Sequence, residues 1–170
     1  DRYAKLLERR RPASELNEIK KKIVDIPELS QVDKGLETIV TIPVAAASES
    51  DNIFNTLSLY AKQDPDSLSK TIIMLNVNWL DMVESDPAEM DKVRRTLAEI
   101  ERARQSFPQL KIAVIQNTYN KERVSKTGGA IGYVARDLVD TAFLMLNEAI
   151  KRGDIADDSG VLIQRHDADM

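Results

Sequence analysis

Cysteine is absent from all 170 residues. Disulfide frameworks, thiolate metal sites and cysteine nucleophiles are therefore excluded, and the chain fits a reducing, cytoplasmic setting. Long apolar runs are missing as well. Nothing approaches the roughly 20 consecutive residues that cross a bilayer, so no membrane span is expected, and the charged start from Asp1 to Arg11 is no secretory signal. Nor is there an excess of positive charge. With 24 Lys and Arg against 28 Asp and Glu, the net charge is −4, which argues against nucleic acid as a partner because phosphate backbones demand a basic face. Repeats and low-complexity tracts do not occur, and His166 and Trp79 are the only residues of their kinds. What the chain does have is 42% apolar and 31% charged residues, enough for one sizeable core with a small appendage.

The order of patterns along the chain indicates the class of fold. Residues 1–11 read as a helix broken by Pro12, and Ser14-Glu15 opens a second helix through about Val24. Residues 1–35 are accordingly expected to form a helical appendage, with Arg9-Arg10-Arg11 and Lys20-Lys21-Lys22 as solvated helix ends. Residues 36–170 carry the main domain. Thr38 to Val44 is a continuous β-branched run suited to a strand buried on both faces, with Pro43 ending its ladder. Ser50 can cap a helix whose positions Ile53, Leu57, Tyr60 and Ala61 share one face. A strand over Thr71–Val77, a charged helix from about Pro87 to Gln105 and a strand over Lys111–Ile115 follow. The longest helix is expected from Thr127 to Lys151, with Ile131, Val134, Leu138, Ala142, Phe143, Leu146 and Ile150 at helical spacing, closed by Gly153. A last strand spans residues 161–166. Strands and helices alternate four times, which predicts an α/β fold with a doubly wound, mostly parallel sheet flanked by helices.

The last strand runs straight into Asp167-Ala168-Asp169. In open α/β sheets, ligands bind beyond the carboxyl ends of the strands, and two hard carboxylates there suit Mn²⁺ or Mg²⁺ bridged to phosphates.

Residues 38–170 resemble the donor-binding half of a nucleotide-sugar glycosyltransferase of the GT-A fold, a Rossmann-like architecture, and within it the family 2-like group. The resemblance rests on Thr41-Ile42-Pro43-Val44 leading to Glu49 and Asn52, on the Gly-rich stretch Gly128 to Asp137, and on Asp167-x-Asp169 at a strand end, all in the family's order. It implies that Pro43, Val44, Ala45 and Glu49 lie beside the nucleotide base. Asn76 and Asn78 stand where the family carries an acidic run and would bond the nucleoside through their amides. Lys126, Gly128, Gly129 and Arg136, with Arg123, would lie near the phosphates at the start of the long helix. Asp167 would approach the ribose and metal, and Asp169 would hold the metal. The implied ligands are a UDP- or GDP-sugar and Mn²⁺ or Mg²⁺, with a carbohydrate, lipid or protein acceptor. The family's acceptor site and general base lie beyond Asp-x-Asp, so the expectation is a truncated domain, inactive alone and able to associate with itself through its open sheet edge.

Each feature has a plainer reading. Asp-x-Asp occurs by chance, Gly128-Gly129 can be a flexible helix entry, and Arg136 can be a surface residue. Glu49 can complement a helix dipole, His166 can be packed or hydrogen-bonded, and Trp79 can be core. Rival functions also exist. Thr127 to Gly132 resembles the glycine turn of NAD(P)-binding short-chain dehydrogenases, although there the glycines follow the first strand. Haloacid-dehalogenase-like phosphatases use Asp-x-Asp at the start of the domain, and a glycosyltransferase-like module that only binds is a third alternative.

Overall fold

The computed structural model describes residues 2–24, 35–126, 130–155 and 160–168. Four parallel strands form one sheet in the order β3-β2-β1-β4: β1 Thr38–Ala45, β2 Thr71–Leu80, β3 Lys111–Tyr119 and β4 Leu162–Arg165. The helices are α1 Arg2–Glu8, α2 Ala13–Val24, α3 Ile53–Tyr60, α4 Pro65–Ser69, α5 Pro87–Ser106, α6 Lys121–Lys126 and α7 Ala130–Arg152, with a 3₁₀ turn at Asp81–Ser85. The expected α/β class with a parallel sheet and flanking helices is present.

Alternation along the strands divides the core in two. Val40, Ile42 and Val44 of β1 and Ile73, Leu75 and Val77 of β2 point to one face, where Ile53 and Leu57 of α3 and Val93 and Ile100 of α5 cover them. Ile39, Ile72, Met74, Ala113 and Ile115 point to the other, under Leu138, Ala142 and Leu146 of α7. Leu7 of α1 and Leu16 and Ile23 of α2 belong to this second cluster, so the two N-terminal helices share a core with the sheet.

Pro43 does not end its strand, contrary to expectation. It stays paired with Asn76, and β1 runs on to Ala45. The reason is geometric. Thr41 accepts from the backbone of His166 at 3.0 Å, whereas Ala46 donates to Asn78 at 2.9 Å, so odd residues of β1 face β4 and even ones face β2. β4 has ended opposite Thr41, and the missing N–H of Pro43 lies on that side, so it removes no bond from the β1–β2 ladder.

β3 is longer than its apolar run, reaching Tyr119, and the polar stretch after it contains α6. Ser50 caps nothing, because a turn carries the chain to Asn52, the residue before α3. α7 closes as expected at Gly153, whose φ of +78° suits glycine, with Gly153 N donating to Ile150 and Asp154 N to Ala149, both at 3.0 Å.

Candidate functional site

From β1 the chain steps outward to β2 and β3, with α3 and α5 on one face, and α7 then returns it over the other face to set β4 on the far side of β1. The order of strands reverses between β1 and β4. That switch point is the general ligand crevice of open α/β sheets.

Two loops meet there. The one after β1 is pinned from beneath, with Thr96 of α5 donating to the Ala46 carbonyl at 2.6 Å and Glu49 N to Ala45 at 3.1 Å. The one after β4 is pinned by Thr56 of α3, whose hydroxyl donates to the Ala168 carbonyl at 2.6 Å. His166 stacks on Tyr60 at 5.8 Å between centroids, and the Tyr60 hydroxyl bonds its Nδ1. Burial pushes the Tyr60 hydroxyl up to about 12. His166 is thus packed and hydrogen-bonded.

Asp167 follows at the carboxyl end of β4, its side chain 69% exposed and 3.6 Å from Arg165. Such a loosely paired, solvated carboxylate can take a hard cation, and Mg²⁺ bound to phosphates asks for only one or two protein carboxylates. Among the described residues no three His, Asp or Glu converge as a metal cage. Asp169, Gly128 and Gly129 lie outside the described residues, and Lys126 closes α6.

The other expected contacts are spread along the carboxyl edge of the sheet. Pro43 pairs with Asn76 and Ala45 with Asn78. Ala45 is exposed and Val44 is core, while Glu49 is half-buried, 3.4 Å from the Asn52 amide. Asn78 spends its amide N–H groups on the carbonyls of Val44 at 2.9 Å and Asn76 at 3.0 Å. Asp81 is likewise committed, accepting from Met82 N at 2.9 Å and the Asn120 amide at 2.7 Å. Trp79 packs on the α3–α5 cluster. Arg136 is exposed and lies 4.8 Å over the Tyr133 ring.

Asn76 is buried and heads a different constellation. Asn117 donates to Asn76 Oδ1 at 2.9 Å, and Asn76 donates to the Tyr119 hydroxyl at 2.9 Å. Tyr119 in turn donates to Asp137 Oδ2 at 2.7 Å. Arg11 completes the series, donating to Asp137 and Asp140 at 2.5 Å each and reaching Glu15 at 3.3 Å. Its side chain is only 3% exposed, so it is no solvated helix end as expected. Burial opposes the Arg11 charge, yet Asp137 and Asp140 outweigh it and raise the pKa. For Tyr119, burial and the Asp137 carboxylate drive the hydroxyl well above the usual phenol range.

This network walls a cleft of about 310 Å³ between α2, the end of β3 and α7. Lys22 enters it from α2, half-buried, with its ammonium on Asn117 Oδ1, and so departs from the expected solvated lysines. Sequence reasoning passed over Asp140, took Asp137 only as the end of the Gly-rich stretch, and read Arg11 as a solvated helix end. One signal was available: carboxylates at 137 and 140 flank Leu138 on the apolar stripe of α7, and acids in a core stripe demand a buried cation.

No family model matches this chain, and no curated protein or solved structure matches it either.

Proposed function

We propose that the chain is the donor-binding part of a GT-A-like glycosyltransferase, holding a nucleotide-diphosphate sugar and a divalent cation at the β1/β4 switch point. The carrying observation is the placement of Asp167, solvated and loosely paired, at the carboxyl end of β4, across that switch point from the loop after β1. Ligands of open parallel sheets sit there, and a carboxylate at that spot suits a metal–diphosphate complex better than a bare anion.

Each residue then has a defined task. Asp167, with Asp169, holds the cation, which when bound would neutralise charge developing on the departing diphosphate. Thr56 and Thr96 fix the backbone of the two loops that face each other, so the backbone that carries Asp167 and the nucleotide-facing backbone are set before ligand arrives. Ala45, small and exposed at the edge, leaves room for a flat base, and Glu49 sits one turn further on. With its amide N–H groups committed, Asn78 offers a ligand only its carbonyl.

Calorimetric titration of UDP- and GDP-sugars, with and without Mn²⁺, tests the reading. Binding should require metal and weaken at least tenfold in Asp167→Ala and in Asp169→Ala. Metal-independent binding that both variants preserve, or NADPH binding in place of nucleotide-sugar, would sink it.

A further inference from the structure

The cleft beneath α2 is separate from the switch point and contains a cation that has no ion-pair partner among the described residues. Lys22 is half-buried, and its ammonium donates to the neutral Asn117 amide; among the described residues no carboxylate forms an ion pair with it. The nearby acids are engaged elsewhere, Glu15, Asp137 and Asp140 with Arg11, and Glu18 with Lys21 at 3.1 Å. An ammonium taken partly out of water and given one amide oxygen is poorly compensated, and two of its three N–H donors remain. Burial accordingly lowers the Lys22 pKa, with Asp137 and Glu18 only partly restoring it. A ligand oxyanion would supply the missing partner.

The surrounding charge limits which oxyanion fits. Arg11 is a single cation against Glu15, Asp137 and Asp140, so the wall behind Lys22 carries surplus negative charge. A doubly charged phosphate is repelled there, whereas a single carboxylate is balanced by the ammonium. At about 310 Å³ the cleft has the volume of a small-metabolite pocket. We infer that this cleft is a second binding site, taking a small monocarboxylate whose carboxylate sits on Lys22 and whose hydroxyl or amino groups turn to the acidic wall at Glu15 and Asp137.

The test is an amide NMR titration of the full chain with acetate, glycolate, glycine and inorganic phosphate at constant ionic strength. Wild type, Lys22→Gln and Asp167→Ala are compared, each with its thermal midpoint. The carboxylates should give saturable shifts at Asn117, Tyr119 and Thr141, with affinities on the order of millimolar for such small probes. Glycolate or glycine should exceed acetate, which tells a hydroxyl from an ammonium at the acidic wall. Binding should weaken at least tenfold in Lys22→Gln and persist in Asp167→Ala, separating this site from the switch point. Lys22→Gln should melt no lower than wild type, because glutamine can still donate to Asn117 and the substitution removes a half-buried charge that its surroundings compensate only in part. Absence of saturable shifts with every carboxylate, tighter binding of phosphate, or a lower midpoint with undiminished binding in Lys22→Gln would each overturn the proposal.

Discussion

Arg11 shows what a single side chain can carry. Replacing it with leucine keeps much of its bulk but leaves Asp137 and Asp140 facing each other without a cation, and breaking a buried ion pair from one side costs about 3–5 kcal/mol. Urea unfolding of Arg11→Leu should show that loss, and Arg11→Leu combined with Asp140→Leu should recover part of it, since the uncompensated charge is then gone. None of this could be read from Arg9-Arg10-Arg11, because Arg11's two partners lie 126 and 129 residues away and its neighbours are exposed. Tyr60 makes a second prediction, concerning alkaline pH. Its folded pKa is raised from 10.0 to about 12, so the fold favours the protonated hydroxyl. That contribution is complete below pH 10 and is lost as pH rises toward 12, on the order of 2 kcal/mol over the window. Urea midpoints between pH 9 and 11.5 should fall more steeply for wild type than for Tyr60→Phe.

At the scale of elements, legibility followed periodicity. The helical spacing in α7 and the β-branched run in β1 marked their cores well, because burial on one stripe or on both faces leaves a compositional trace. The end of β3 left none. Gln116, Asn117 and Thr118 are polar, yet they pair in register with Val77, Asn78 and Trp79 of β2, and the ladder outlasts the apolar pattern. Pro43 misled for a related reason: whether a proline breaks a strand depends on how far its neighbour extends, which is tertiary information. Capping was more local. Asp86 Oδ1 accepts from Ala88 N at 2.9 Å and Glu89 N at 3.3 Å, opening α5 with Pro87 in its first turn. Asp86→Ala should destabilise the chain by about 1 kcal/mol in chemical denaturation. Asp86→Asn should cost less, since the amide oxygen can still accept.

Across the whole molecule, the first 24 residues decide how the second face of the sheet is finished. Composition set residues 1–35 apart, but charged helices with few apolar positions can still dock if those positions coincide, and Leu7, Leu16 and Ile23 all reach the cluster built on Ile39, Met74 and Leu138. Leu7 is fully buried. The docking has a polar lock in Arg11 and an apolar seal in these three, and α2 is at once a wall of the cleft and the carrier of Lys22. Removing residues 1–24 therefore exposes apolar surface of α7 and deprives Asp137 and Asp140 of their cation. Given total stabilities of about 5–15 kcal/mol for domains generally, the loss of a lock worth several kcal/mol together with three core side chains should leave no cooperative transition. Near-UV circular dichroism and urea unfolding of the shortened chain are the check. A fragment from residue 25 that unfolds cooperatively with its native aromatic signal intact would mean that the two helices are an appendage after all, and that the sheet with α3, α5 and α7 is complete without them.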